Sequence, residues 1–80
     1  MHTLFVLQTI FREVFGDDRL VITPETSPRD IPNWGSVNQM QLILAIEEQF
    51  DFHFTTDEVS SIKKAGDFIE CIRRRSGETP

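Results

Sequence analysis

Asn33-Trp34-Gly35-Ser36-Val37-Asn38-Gln39-Met40-Gln41-Leu42-Ile43-Leu44-Ala45-Ile46-Glu47-Glu48-Gln49-Phe50 is the run that decides how this chain folds. It contains no proline after a turn-forming start, and its apolar residues recur at helical spacing, so it predicts a helix from Ser36 or Val37 to Phe50. At about 100° per residue, Leu42, Ile43, Ile46 and Phe50 share one arc of about 100°, wide enough for a core face. Val37, Met40 and Leu44 fall on a second, separate arc of about 60°, flanked by Gln41, Glu47 and Glu48. One core does not need two stripes. Either the helix is buried on two sides, or the second stripe is a docking surface with an acidic rim. Ser36 opens the helix, among backbone N–H groups that lack intrahelical acceptors and at the positive end of the dipole. A phosphate ester is well stabilised there.

Before this helix, Leu4, Leu7, Phe11 and Val14, widened by Ile10 and Phe15, predict a first helix over residues 3–15. Thr3 is placed to cap its start and Gly16 to stop it. Residues 17–35 read as one long loop. Pro24, Pro28 and Pro32 each remove a backbone donor and turn the preceding residue away from helix. Leu20, Val21 and Ile22 are expected to anchor the loop. A connection this long in so small a domain is often functional. After the second helix, Thr55 and Glu58 stand at capping-box spacing and predict a short third helix. A last helix is expected over residues 64–74, with Ala65, Phe68, Ile69 and Ile72 inward and Arg73, Arg74 and Arg75 at its negative dipole end. The domain is expected to span residues 1–75, with residues 76–80 a disordered tail. The fold class is all-α: a four-helix bundle of three longer helices and a short third, with a long loop between the first two.

Charge narrows the choice of partner. No Lys or Arg lies between Ile31 and Ile62, where Glu47, Glu48, Asp51, Asp57 and Glu58 account for the whole net charge of −5. Such a one-signed segment favours basic partner surfaces and opposes phosphate backbones, so nucleic acid is not an expected ligand. Cys71 is the only cysteine, which excludes an internal disulfide and a cysteine cage for metal. This fits a reducing cytoplasm. The two histidines, His2 and His53, make neither a zinc motif nor a catalytic triad with Ser36, which also lacks the G-x-S-x-G turn. Asp17-Asp18 lack the alternating ligands and central glycine of a calcium loop. The N-terminal run Leu4-Phe5-Val6-Leu7 is too short for a membrane span. No enzyme site is expected.

With Trp34-Gly35-Ser36-Val37, the Ile46-Glu47-Glu48-Gln49-Phe50 end, the long preceding loop, the short third helix and Lys64-Ala65-Gly66-Asp67 opening the fourth, the chain resembles the acyl carrier proteins. In that family the usual pattern is Asp-Ser-Leu, then a helix closing on a Leu-Glu-Glu-Glu-Phe-like sequence. The resemblance implies a non-enzymatic, monomeric carrier, with 4'-phosphopantetheine attached to Ser36 by a phosphopantetheinyl transferase that uses magnesium. The arm would hold acyl groups as thioesters for fatty-acid, polyketide or other specialised acyl metabolism. It also implies that acyl-loading and acyl-processing enzymes with basic docking surfaces meet Val37, Met40, Gln41, Leu44, Glu47 and Glu48, with Asp57 and Glu58 nearby.

Three positions depart from the family pattern. Gly35 stands where an aspartate is usual, and Asn38 and Gln41 are neutral where fatty-acid carriers are acidic. Trp34 and the less acidic helix front resemble specialised stand-alone carriers. Ser36-Val37-Asn38-Gln39 also matches the S-x-x-Q capping box, in which the serine hydroxyl accepts from the N3 amide. The alternative function is therefore an unmodified four-helix interaction module that binds through the Val37/Met40/Leu44 stripe.

Overall fold

The computed structural model describes residues 3–75. Among them are four helices and no strand: α1 (Thr3–Phe15), α2 (Ser36–Phe50), α3 (Thr56–Ser61) and α4 (Ala65–Arg75). The expected tail lies outside the described residues.

Helix α1 buries Leu7, Ile10 and Phe11 as its spacing predicts. Its first turn differs from expectation. Thr3 is the first helical residue and is 1 % exposed, while Leu4 stands on the rim at 37 %. On a helical wheel Thr3 falls about 40° from Leu7 on the side of Ile10, inside the buried arc, and Leu4 falls outside it. The Thr3 hydroxyl has no partner among the described residues, so Thr3 fills space there and is not a cap. Gly16 does end the helix. Its φ of 63° is left-handed, and the Asp17 amide donates back to the Arg12 carbonyl at 3.0 Å, the 6→1 bond of a Schellman stop. Helix α2 ends the same way, with Asp51 at φ 57° and the Phe52 amide donating to the Glu47 carbonyl at 3.3 Å.

The three prolines of the connection each occupy the second position of a hydrogen-bonded turn. Thr26 N–H donates to the Thr23 carbonyl, Asp30 to Ser27, and Trp34 to Ile31, at 3.0, 2.9 and 3.3 Å. Proline presets φ for that position, so three abutting turns form with little further loss of backbone freedom. Asn33, at φ 72°, takes the third position of the last turn. The loop is thus ordered by its own turn chemistry, and Ile22, Ile31 and Trp34 pin it to the core. Of the expected anchors, Ile22 is 2 % exposed and Leu20 half-buried, but Val21 is 69 % exposed because an extended segment shows alternate residues to opposite sides.

The same loop caps α4. Ala65 N–H donates to the Thr26 carbonyl and Gly66 N–H to the Pro24 carbonyl, both at 2.8 Å, satisfying two of the helix's orphan donors. The Asp67 carboxylate accepts from the Lys63 and Lys64 amides at 2.7 and 3.1 Å and fixes the start one residue later than the pattern suggested. A Cβ on Gly66 would sit 2.8 Å from the Pro24 oxygen. Gly66→Ala therefore forces α4 away from the loop, an overpacking cost of about 1–3 kcal/mol against about 1 kcal/mol returned as helix propensity. A thermal melt by circular dichroism should show a lower Tm. An unchanged or higher Tm would mean that the loop yields freely.

Inside, a chain of rings crosses the bundle. Phe11 meets Trp34 at 5.2 Å and Phe68 at 6.3 Å between centroids; Phe68 meets Phe54 at 5.9 Å, and Phe54 meets Phe52 at 4.8 Å. All four contacts are edge-to-face, the arrangement that ring quadrupoles favour. Leu7, Leu42, Ile46, Ala65 and Ile72 complete a core with no exposed surface.

Candidate functional site

Ser36 is exposed at the first position of α2. Gly35 is the N-cap, in an extended conformation (φ −113°, ψ −163°), and no side chain caps this end. The capping-box reading of Ser36 is thereby corrected. One residue inside the helix, its hydroxyl is not where a cap must be, and Gln39 does not reach back to the N-cap amide. Instead the Gln39 backbone N–H donates to the Gly35 carbonyl at 2.9 Å, and its side-chain Oε1 accepts from the Trp34 indole N–H at 2.7 Å. The sequence carried a signal for this bond. Gln39 falls on the apolar arc of α2 with Ile43 and Ile46, and a polar side chain on a core face has to find a partner.

Trp34, 8 % exposed, wedges its ring against Phe11 and Phe15, with centroids 5.2 and 6.2 Å away. The ring plugs the loop end onto the bundle and ties the N-terminal end of α2 to the C-terminal half of α1. Nothing lies within 4 Å of a Cβ built on Gly35, and its φ is one any residue adopts. The backbone does not require glycine there, and an aspartate would fit.

Below Ser36 the second stripe of α2 is not buried. Leu42, Ile43 and Ile46 are buried, whereas Val37, Met40 and Leu44 are 71, 56 and 57 % exposed. Three apolar residues on successive turns of one helix thus face outward, with Gln41 and Glu48 exposed beside them. Asp51 and Asp57 are exposed as well.

Two of the expected rim carboxylates have other commitments. Glu47 accepts from the Phe54 amide at 2.8 Å and lies 3.7 Å from His53 Nδ1, fastening the turn after α2. Glu58 closes the predicted capping box, accepting from the Thr55 amide at 2.9 Å while Thr55 Oγ1 accepts from the Glu58 amide at 3.1 Å. It also takes the Arg75 guanidinium on both oxygens, at 2.6 and 3.3 Å, and Arg75 sits 5.5 Å over the Phe52 ring. Sequence spacing revealed the local box but not the partner 17 residues away.

The Thr55 amide and the Arg75 guanidinium hold the Glu58 carboxyl below its ordinary range, against a smaller opposing effect of burial. A lowered carboxylate pKa contributes stability that is complete above the unfolded value of about 4.3 and is lost as pH falls through the folded one. Glu58→Gln should remove this contribution. The variant is expected to show a lower Tm at pH 7 and a shallower decline of Tm below about pH 4.3. Parallel acid profiles for both proteins would contradict this.

Burial raises the Cys71 thiol, with the Glu58 charge adding to the effect, so it stays protonated and inert. No group of three His, Cys, Asp or Glu side chains able to hold a metal occurs among the described residues, and no described helix is long and apolar enough to cross a membrane.

No family model matches the chain. It is similar to known proteins nonetheless. It is 32% identical over 66 residues to the acyl carrier protein of Acidothermus cellulolyticus, covering 82% of this chain and 79% of that one. It is 28% identical over 72 residues to the acyl carrier protein of Chlamydia felis, covering 90% and 92%. The solution structure of a holo acyl carrier protein from Geobacter metallireducens superimposes with a TM-score of 0.89 at 38% identity, over 96% of this chain and 88% of that one. With likeness in sequence and backbone across nearly its whole length, the chain belongs to the acyl carrier proteins, a family of carriers that catalyse no reaction themselves.

Proposed function

We propose that Ser36 is the loaded residue of a specialised acyl carrier, bearing 4'-phosphopantetheine. One observation carries the reading: an exposed serine hydroxyl on the first turn of a 15-residue helix whose N-terminal amides no side chain caps. The chemistry of this site fits a phosphodiester, since free N–H donors and the positive dipole end favour anionic oxygens. The space beside Gly35 is open. When bound, the group supplies a terminal thiol that holds acyl chains as thioesters.

In the loading step, Ser36 Oγ forms a bond to the pantetheine-side phosphorus of coenzyme A. The pyrophosphate P–O bond breaks, the nucleotide half leaves, and the serine proton passes to a base of the transferase. A magnesium ion held by that enzyme offsets the phosphate charge. This chain contributes a nucleophilic atom in another protein's active site, and a surface to be recognised.

That surface is the exposed Val37, Met40 and Leu44 stripe with Gln41 and Glu48, extended by Asp57. Glu47 and Glu58 act behind it, holding the α2–α3 turn and α3 in place while adding negative charge. Basic faces of acyl-loading and acyl-processing enzymes complement it. The neutral Asn38 and Gln41 make the front of α2 less acidic than in fatty-acid carriers, which favours partners of a specialised acyl pathway in the cytoplasm. Intact-protein mass spectrometry after incubation with coenzyme A, magnesium and a broadly acting phosphopantetheinyl transferase tests the assignment. One phosphopantetheine adduct mapping to Ser36 is expected. An adduct elsewhere would move the attachment to that residue, whereas none, while a known carrier is modified in the same tube, would favour the unmodified interaction module or a carrier with a dedicated transferase.

A further inference from the structure

Ser36 is bracketed by two residues that hold each other. Trp34 lies two positions before it and Gln39 three after, and the indole N–H donates to the Gln39 amide oxygen at 2.7 Å. We propose that this hydrogen bond is a positioning clasp for the serine, with Trp34 and Gln39 as positioning residues for its loading. The inference rests on reading Ser36 as the loaded residue.

Each end of the clasp is anchored independently. The Trp34 ring stands at 86° to Phe11 and packs on Phe15, so the donor is fixed to α1. Gln39 is anchored in α2, and its backbone N–H also binds the Gly35 carbonyl. Both of its bonds therefore land on the two residues that immediately precede Ser36. Between the anchors, the chain makes a tight bend: Asn33 is left-handed at φ 72°, and Gly35 N–H donates to the Asn33 carbonyl at 2.9 Å.

Glycine at the N-cap would otherwise be a hinge. A Cβ there would meet nothing within 4 Å and no side chain caps this end, so the first turn of α2 resists fraying through its backbone bonds and the side chains of its neighbours. The clasp tethers the first turn of α2 to the Trp34 ring, and it does so without occupying the first-turn amides beside Ser36. Group transfer is sensitive to displacements of the attacking atom on the order of 1 Å, which makes the register of this turn a kinetic quantity.

The test measures steady-state loading with coenzyme A, magnesium and a phosphopantetheinyl transferase, at a temperature where circular dichroism shows every variant folded. Gln39→Leu, which keeps the shape but loses the acceptor, should lower kcat/KM about tenfold, with the loss in kcat. Gln39→Glu keeps an acceptor oxygen at the same reach and should restore most of it. Trp34→Phe keeps a ring on Phe11 but loses the donor, and should match Gln39→Leu. The double variant should be no slower than either single one.

A bond that merely stabilises the fold would lower Tm and leave kcat unchanged, and that result overturns the proposal, as does multiplication of the two single effects. Should Gln39→Leu fail to fold, Trp34→Phe against wild type decides alone. Wild-type protein that takes no adduct would instead sink the Ser36 assignment, and the clasp's role with it.

Discussion

Ser36→Ala is expected to reduce phosphopantetheine loading to background while leaving the fold intact. The reason is a separation of roles that the helix start makes explicit. Gly35, not Ser36, is the N-cap, and the serine side chain is exposed at the first helical position. A capping serine replaced by alanine costs typically about 1 kcal/mol. An exposed serine inside a first turn should cost almost nothing, because alanine is the better helix former and surface changes away from special features stay within about 0.5 kcal/mol. Mass spectrometry reads the first half of this expectation and a denaturant titration the second. Retained loading would move the attachment to another residue. A stability loss of about 1 kcal/mol or more would return Ser36 to the capping role that the S-x-x-Q spacing suggested.

The second large effect lies in the ring chain. Phe11 has no exposed surface and touches Phe15, Trp34 and Phe68, with centroids 5.9, 5.2 and 6.3 Å away. Phe11→Ala removes the hub of that cluster, and buried phenylalanine truncations cost about 3–5 kcal/mol. Against a total stability of roughly 0.05–0.15 kcal/mol per residue, an 80-residue domain has little beyond that to lose. At about 4–8 °C per kcal/mol the Tm should fall by more than ~10 °C, and the variant should be partly unfolded at 37 °C. Emission from Trp34, the only tryptophan, should shift toward that of a solvated indole at 25 °C. Phe11→Leu, which keeps more of the volume, should lose much less. A Tm within a few degrees of wild type for Phe11→Ala would mean that Phe15 and Trp34 collapse into the space.

Both predictions concern one end of the molecule. Trp34 belongs at once to the ring cluster and to the turn that delivers Ser36, so core packing and the geometry of the serine share a side chain. Loss of Phe11 should therefore impair loading even in the folded fraction, whereas loss of the Ser36 hydroxyl should leave the core untouched. The exposed apolar stripe of α2 is insulated from this coupling. Val37, Met40 and Leu44 point away from the core, and their substitution should alter partner affinity with small effects on stability.

Local rules settled a good part of this structure in advance. The bounds of α1 and α2, the glycine stop after α1, the Thr55–Glu58 box and the inward residues of α4 all follow from periodicity and capping, which act over a few neighbouring residues. So do the two stripes of α2, and composition alone places the whole negative imbalance between Ile31 and Ile62. What local rules could not decide was which stripe the other helices would cover. Both arcs of α2 are apolar, and only packing against the rest of the bundle, chiefly α1, selects Leu42, Ile43 and Ile46 for burial. The prolines announced a loop, but its role as the cap of α4 depends on the Pro24 and Thr26 carbonyls meeting a helix some 40 residues later. Glu58 reads as a capping residue in sequence and becomes the partner of Arg75 only in three dimensions. Gln39 offered two bonds of similar worth, one back to the N-cap amide and one to an indole. The tertiary structure chose the indole, because Phe11 and Phe15 bury the Trp34 ring and leave its N–H in need of an acceptor within reach of α2.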